Sequence, residues 1–169
     1  MTPRVILIGP PGAGKSSIGM SLASRLKVGF SDTDKLIEKS SGKSVAQIFI
    51  EDGEVVFREM EREICAKALL EEDGILALGG GAILAPETQA LISASQGKII
   101  FLDVTLKVAA PRIGFNRDRP LLLGNPRQQW QSLMDARRPL YEELATLKYE
   151  VEDRSIKEIV EALLSVVAA

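Results

Sequence analysis

Val5-Ile6-Leu7-Ile8-Gly9-Pro10-Pro11-Gly12-Ala13-Gly14-Lys15-Ser16, residues 5–16, decides how the rest of this chain is read. Four apolar residues in a row, ending at a glycine, mark a short strand buried on both faces. Gly9 to Ser16 then fits the pattern G-x-x-x-x-G-K-[ST] at every fixed position, after a strand and before a helical stretch. Glycines in such a loop let backbone N–H groups converge on phosphate oxygens, and the helix opening at Lys15 adds the positive end of its dipole. Nucleotide phosphates are therefore expected on Gly12, Ala13, Gly14, Lys15, Ser16 and Ser17. Lys15 is placed to bridge the β- and γ-phosphates, and the Ser16 hydroxyl to ligate magnesium.

Outward from that loop, short apolar β-type runs alternate with helical stretches. Helix is expected from Lys15 to about Leu26, and a second strand over Val28 to Ser31 that runs into Asp32-Thr33-Asp34. Ser44-Val45-Ala46-Gln47 reads as a capping box opening another helix. A longer helix runs from Glu54 to about Leu70 and stops near Gly74. A third strand, Ile75 to Leu78, leads into Gly79-Gly80-Gly81. Pro86 suits the first turn of a helix, and Lys98 to Val104 forms a fourth strand. Helices follow from about Leu106 to the region of Gly114 and Pro120, and from Pro126 to Leu144. A strand over Tyr149 to Val151 and a helix from Ser155 to Val167 complete the pattern. Such alternation predicts one α/β domain over 1–169, a three-layer αβα arrangement around a central parallel sheet. In such sheets ligands bind at the carboxyl ends of the strands, so the exits at Gly9, Asp32 and Gly79 are where chemistry is expected.

Composition narrows the function class. The chain has 169 residues and a net charge of −2, which argues against a nucleic-acid partner. It has no histidine, so catalysis must run on carboxylates, Lys, Arg, backbone amides and a bound cation. Its single cysteine, Cys65, builds neither a disulfide framework nor a zinc site, and a buried role in a reducing, cytoplasmic setting is expected. No apolar run reaches the roughly 18 residues of a membrane span. The first strand begins by about Arg4, which leaves no room for a targeting peptide.

A phosphate cradle alone does not separate kinases from GTPases or motor ATPases. No Asn-Lys-x-Asp guanine reader follows a later strand. Asp103, at the end of the fourth strand, fits either a magnesium-supporting acid or a residue on the approach to the next helix. Three features favour a small-molecule kinase. In an extended strand exit, alternate residues point the same way, so Asp32 and Asp34 can face one site. One would support magnesium through water and the other would accept a proton or hydrogen bond from a substrate hydroxyl. Gly79-Gly80-Gly81 suggests close approach of backbone to a ligand. Finally, Val108 to Leu147 carries six arginines and no lysine: Arg112, Arg117, Arg119, Arg127, Arg137 and Arg138. Arginine's planar fork binds phosphate or carboxylate through two hydrogen bonds. Arg117-Asp118-Arg119-Pro120 lies in a Gly/Asn/Pro-bounded segment, about 113–125, with the look of a mobile lid. On the Glu54–Leu70 helix, Arg58 and Glu61 are three residues apart and close enough to pair.

With these residues in place the chain resembles the shikimate kinases, members of the nucleoside monophosphate kinase-like group of P-loop proteins. The resemblance runs from Val5 to about Arg154. It rests on GPPGAGKSS at 9–17, SDTD at 31–34, IFIEDGEVVFREME at 48–61, LALGGGA at 76–82, RDRPLL at 117–122 and RRPLYEELA at 137–145. It implies ATP-dependent phosphorylation of a shikimate hydroxyl in aromatic amino acid biosynthesis, with ATP as co-substrate, Mg2+ as cofactor and a monomer as the usual state. It implies that Ser16 and Asp32 organise magnesium, and that Asp34 contacts the substrate hydroxyls as the candidate base. Arg58 and Arg137 would clamp the shikimate carboxylate, with amides of Gly80 and Gly81 nearby, the substrate region spanning about 33–61. Arg119 would reach the transferring phosphoryl group from the lid, and Arg112 and Arg154 would line the adenine pocket. Spacing from Pro139 and Pro120 selects Arg137 over Arg138 and Arg119 over Arg117. A kinase for another carboxylated polyol, such as gluconate, and a non-catalytic nucleotide-binding protein on the same fold are the competing readings.

Overall fold

Val5 to Ile8 are buried to within 1% of full burial, as an uninterrupted apolar run requires, and they form the middle of a parallel sheet. The computed structural model of the chain describes residues 3–113 and 125–167. Strands β1 (Pro3–Ile8), β2 (Phe30–Asp32), β3 (Gly74–Ala77), β4 (Lys98–Asp103) and β5 (Leu147–Glu150) pair in parallel in the order β2-β3-β1-β4-β5. Ile6 lies between Leu76 of β3 and Ile99 of β4. The inner strands are apolar on both faces, whereas the edge strand β5 alternates between half-buried and exposed residues.

Among the described residues eight α-helices accompany the strands: α1 (Lys15–Leu26), α2 (Thr33–Ser41), α3 (Val45–Glu51), α4 (Glu54–Glu71), α5 (Pro86–Ala94), α6 (Leu106–Ile113), α7 (Pro126–Leu144) and α8 (Ile156–Val167). Helix α1 packs against α8, while α4 packs on α5 and α5 on α7. These two groups cover the sheet and give the expected three-layer αβα fold. The main core joins the strands to Trp130, Tyr141 and Leu163. A smaller core of Ile37, Val45, Ile48 and Phe57 holds α2, α3 and α4 together. No helix among the described residues is long and apolar enough to cross a membrane.

Most boundaries fall within a residue or two of expectation, and the capping box at Ser44 forms in full with Gln47. Three departures have local causes. The second strand begins at Phe30 rather than Val28, because α1 ends in a left-handed Lys27 and the N–H of Val28 returns to the Ala23 carbonyl. The last strand starts at Leu147 rather than Tyr149, and Val151 lies past its end, donating to the Asp103 carbonyl at 2.7 Å. Asp32-Thr33-Asp34 is not an extended exit. Asp32 ends β2 and caps α2, its Oδ1 accepting from the N–H of Asp34 at 2.9 Å, so Thr33 and Asp34 already lie in the first helical turn. Of the proposed lid at about 113–125, residues 114–124 lie outside the described residues, and with them Arg117 and Arg119.

Candidate active site

Because every strand is parallel, the exits of β1, β2 and β3 lie along one edge of the sheet, and β1 is where the chain path diverges to either side. A cleft of about 820 Å³ opens there, with Lys15, Ser16, Asp32 and Asp34 in its wall. Gly12 and Gly14 hold φ of 83° and 90°, which turns the loop after β1 so that α1 starts at Lys15. The Lys15 ammonium folds back on its own loop, donating to the carbonyls of Gly9 at 2.7 Å and Pro10 at 3.0 Å. Ser17 also lines the cleft.

The hydroxyl of Ser16 donates to Oδ2 of Asp32, while Oδ1 of the same carboxylate caps α2. One residue therefore fixes the start of a helix and presents an oxygen beside a serine hydroxyl. A hydroxyl and a carboxylate side by side are the hard oxygen donors that Mg2+ prefers, and that ion typically takes its remaining ligands from water and phosphate. Thr33, between the two aspartates, turns inward. It is fully buried, and its Oγ1 accepts from the N–H of Gly79 at 2.9 Å, tying the exits of β2 and β3 together.

The glycine run has a cause beside the one expected. A Cβ on Gly79 would lie 2.6 Å from Oδ1 of Asp34 and 3.3 Å from Oε2 of Glu61. A Cβ on Gly81 would lie 2.5 Å from Nη1 of Arg58. The missing side chains make room for functional groups of this chain as well as for any ligand. Arg58 pairs with Glu61 at 2.8 Å and Glu54 at 3.5 Å. Arg137 is only 7% exposed, and its Nη1 would stand 3.5 Å from a Cβ on Gly80. Burial pushes the carboxyl of Glu61 above the usual range and the nearby Asp34 carboxylate adds to this, while Arg58 and Arg137 oppose it. Asp34, Glu61, Arg58 and Arg137 thus act on one another across the exits of β2 and β3. Asp34 and Gly80 line the cleft, whereas Arg58, Gly81 and Arg137 adjoin it through the glycine turn.

The other arginines are spread out. Arg112 and Arg154 both line the cleft, Arg112 donating to the carbonyls of Gly12 at 3.3 Å and Ala13 at 3.4 Å, and Arg154 pairing with Glu152 at 3.1 Å. Arg138, one step round the helix from Arg137, pairs with Asp103 at 2.7 Å. Asp103 does not line the cleft, so nothing in its position supports a magnesium role. Cys65 is fully buried, and burial raises its thiol pKa.

Sequence reasoning passed over three contributors. Thr33 is one. Trp130 is another, donating from Nε1 to the Pro11 carbonyl at 2.9 Å, and Tyr141 donates to the Gly80 carbonyl at 2.6 Å. A signal for the last two was present. Trp130, Met134, Arg137 and Tyr141 recur at the spacing of one helix face, and an arginine within a buried apolar stripe points to a job. Phe57, Glu61 and Cys65 repeat that pattern on α4, with an acid in the stripe.

Similarity to known proteins agrees with this arrangement. The sequence model of the shikimate kinase family matches residues 11–168. A shikimate kinase of Streptomyces coelicolor is 44% identical over 165 residues, 98% of this chain and 95% of its own length. Among solved structures, a shikimate kinase from Acinetobacter baumannii in complex with shikimate superposes with a TM-score of 0.92 at 30% identity, covering 99% of this chain and 93% of that one. A gluconokinase from Sinorhizobium meliloti, at a TM-score of 0.61 and 20% identity over 99% of this chain and 92% of its own, shares the fold alone. A phosphate loop at β1, a carboxylate pair at β2 and a glycine turn at β3 that seats two arginines are features of one continuous match, and the chain belongs to the shikimate kinase family.

Proposed function

We propose that this chain transfers the γ-phosphoryl group of ATP to a hydroxyl of shikimate, giving shikimate 3-phosphate and ADP. The observation that carries the assignment is the position of Asp34. It shares the cleft wall with Lys15 and Ser16, and its Oδ1 faces Gly79 on the arginine side, where Glu61 faces the same glycine. A base there stands between a bound triphosphate and an acceptor held by arginines, as in-line transfer demands.

Each half has its own task. Amides of Gly12, Ala13 and Gly14, with Lys15, Ser16 and Ser17, hold the phosphates, and Lys15 offsets charge on the γ-phosphoryl group. The Ser16 hydroxyl and the Asp32 carboxylate fit Mg2+, which when bound neutralises charge on the β- and γ-phosphate oxygens. Arg112 and Arg154 line the nucleotide end, and Arg119 is assigned to the transferring phosphoryl group. On the acceptor side, within about 33–61 and the turn at Gly80 and Gly81, Arg58 and Arg137 hold the shikimate carboxylate. These arginines are not satisfied by substrate alone, because Glu61 already pairs with Arg58. ATP and shikimate are the only partners this reading requires. One chain supplies both halves, as a monomer needs, and a lone buried thiol suits the reducing cytoplasm.

Coupled measurement of ADP release tests the acceptor directly. Shikimate is expected to be phosphorylated, and its primary amide to show kcat/KM lower by about a hundredfold or more, because the arginines lose their anion. Equal use of acid and amide would overturn the carboxylate clamp. Preference for gluconate would overturn shikimate as the substrate.

A further inference from the structure

We propose that Tyr141 is a positioning residue that sets the acceptor clamp, locking Arg137 against the Gly79–Gly81 turn through its hydroxyl. The inference rests on Arg137 as a carboxylate ligand and adds to it how that arginine is held. In the turn, the carbonyls of Gly79 and Gly81 accept from the N–H groups of Ala82 at 3.0 Å and Leu84 at 3.2 Å. The carbonyl between them, that of Gly80, accepts from the Tyr141 hydroxyl at 2.6 Å. Gly80 is also the residue whose missing Cβ faces Arg137 Nη1 and, at 3.1 Å, Pro11 of the phosphate loop. The hydroxyl therefore holds the residue against which the acceptor arginine and the phosphate loop both lie.

The surroundings of Tyr141 make it rigid and keep it protonated. It is fully buried, and its ring stacks on Phe101 with centroids 5.0 Å apart. It lies four residues after Arg137 on α7, so both side chains share one helix face. Burial pushes the hydroxyl up to about 12, while the charge of the neighbouring Arg137 pulls the other way. The hydroxyl donates to Gly80, and the Arg137 guanidinium faces the same glycine. A phenylalanine would keep the ring on Phe101 and lose the bond to Gly80.

Steady-state kinetics of Tyr141→Phe separate positioning from packing. The expected result is a KM for shikimate raised about five- to tenfold, the equivalent of about 1–1.4 kcal/mol, with kcat and the KM for ATP within twofold. Arg137→Ala is expected to raise the same KM further, and adding Tyr141→Phe to it should change nothing more, because the group being positioned is gone. Ile92→Ala, a cavity in α5 away from the cleft, serves as the packing control and should lower Tm without moving the shikimate KM. If Arg137→Ala raises the shikimate KM and Tyr141→Phe does not, the inference fails and the acceptor reading stands. If Arg137→Ala leaves that KM unchanged, the acceptor reading fails and the inference goes with it. A Tyr141→Phe variant that loses Tm and all kinetic constants together, in the pattern of a packing defect, also overturns it.

Discussion

The phosphate half and the acceptor half of this cleft are built in opposite ways. The proposed phosphate half is one unbroken segment, Gly9 to Ser17, offering backbone amides and one folded-back lysine, with Asp32, Arg112 and Trp130 as partners from outside it. The acceptor half is assembled from α2, α4, the turn after β3, and α7. It works through charged side chains that burial and mutual pairing hold in place. Backbone amides aimed by a loop need little support beyond that loop. Buried charges need partners, and those partners come from distant parts of the chain. Damage to the first half should therefore remove chemistry and spare the fold, whereas damage to the second should spread to binding and stability.

The largest effect is expected at Lys15. Lys15→Ala removes an ammonium that is only half buried and bonds the loop it serves. Turnover should fall by about a thousandfold or more, since charge developing in the transition state loses its ammonium, with only a small change in Tm from the two part-buried bonds to the loop. ADP release and a thermal melt on the same sample check both parts. Near-normal turnover by a folded variant would remove the phosphate assignment. Asp34→Asn comes next and tests the junction of the halves. General-base catalysis is worth about 10²–10⁴-fold, so kcat should fall within that range. A change confined to the KM for ATP would place Asp34 in the phosphate half alone.

The same contrast explains what could be read from the residues in order. The phosphate loop is local, and its motif carries its own geometry, so strand, loop and helix were all legible. The proposed arginine clamp came from resemblance, because no spacing rule brings Arg58 and Arg137 together across 79 positions of chain. Thr33 was hidden by a wrong backbone state. An extended reading of Asp32 to Asp34 sends Thr33 away from both acids, and a helical first turn also buries it, but only the folded chain shows Gly79 as its partner. Trp130 and Tyr141 were readable as a buried stripe, yet their targets are carbonyls, and a carbonyl has no identity in sequence. The glycine run was read as room for a ligand, and the second demand on it, from Asp34 and Arg58 of this chain, shows only in the folded molecule.

Those glycines sharpen the comparison at intermediate scale. Gly79→Ala drives a methyl into the Asp34 carboxylate, a short side chain fixed by the capped turn of α2. Gly81→Ala meets the far end of Arg58, a long side chain that can swing aside. The first should lower kcat by about a hundredfold, the scale of misplacing a catalytic group by an ångström. The second should leave kcat within a few-fold and act mainly on the shikimate KM, by about tenfold. Steady-state kinetics with each substrate varied in turn separate the two. An equal fall in kcat for both variants would mean that the turn fails as a whole.

The smallest effect concerns the acid buried in the acceptor half. Burial is the leading influence on Glu61 and raises its pKa above the ordinary carboxyl value, against the pull of Arg58 and Arg137. A group whose folded pKa exceeds its unfolded one binds its proton more tightly in the native state. Its contribution to stability is then complete at pH below the unfolded value and fades as pH rises through the folded one. Glu61→Gln keeps the shape and a hydrogen-bond acceptor for Arg58 while removing that titration. Tm measured against pH for both proteins should therefore show wild type losing ground to the variant as pH climbs from below about 4.5, the ordinary value, through the raised one. The quantity to read is the slope of the Tm difference, since the substitution also shifts its absolute level. A difference that moves the other way, with wild type gaining on the variant as pH rises, would mean that the Arg58 pairing outweighs burial. Glu61 would then behave as an ordinary ion-pair partner, and the contrast between a solvated phosphate half and a buried acceptor half would not extend to this residue.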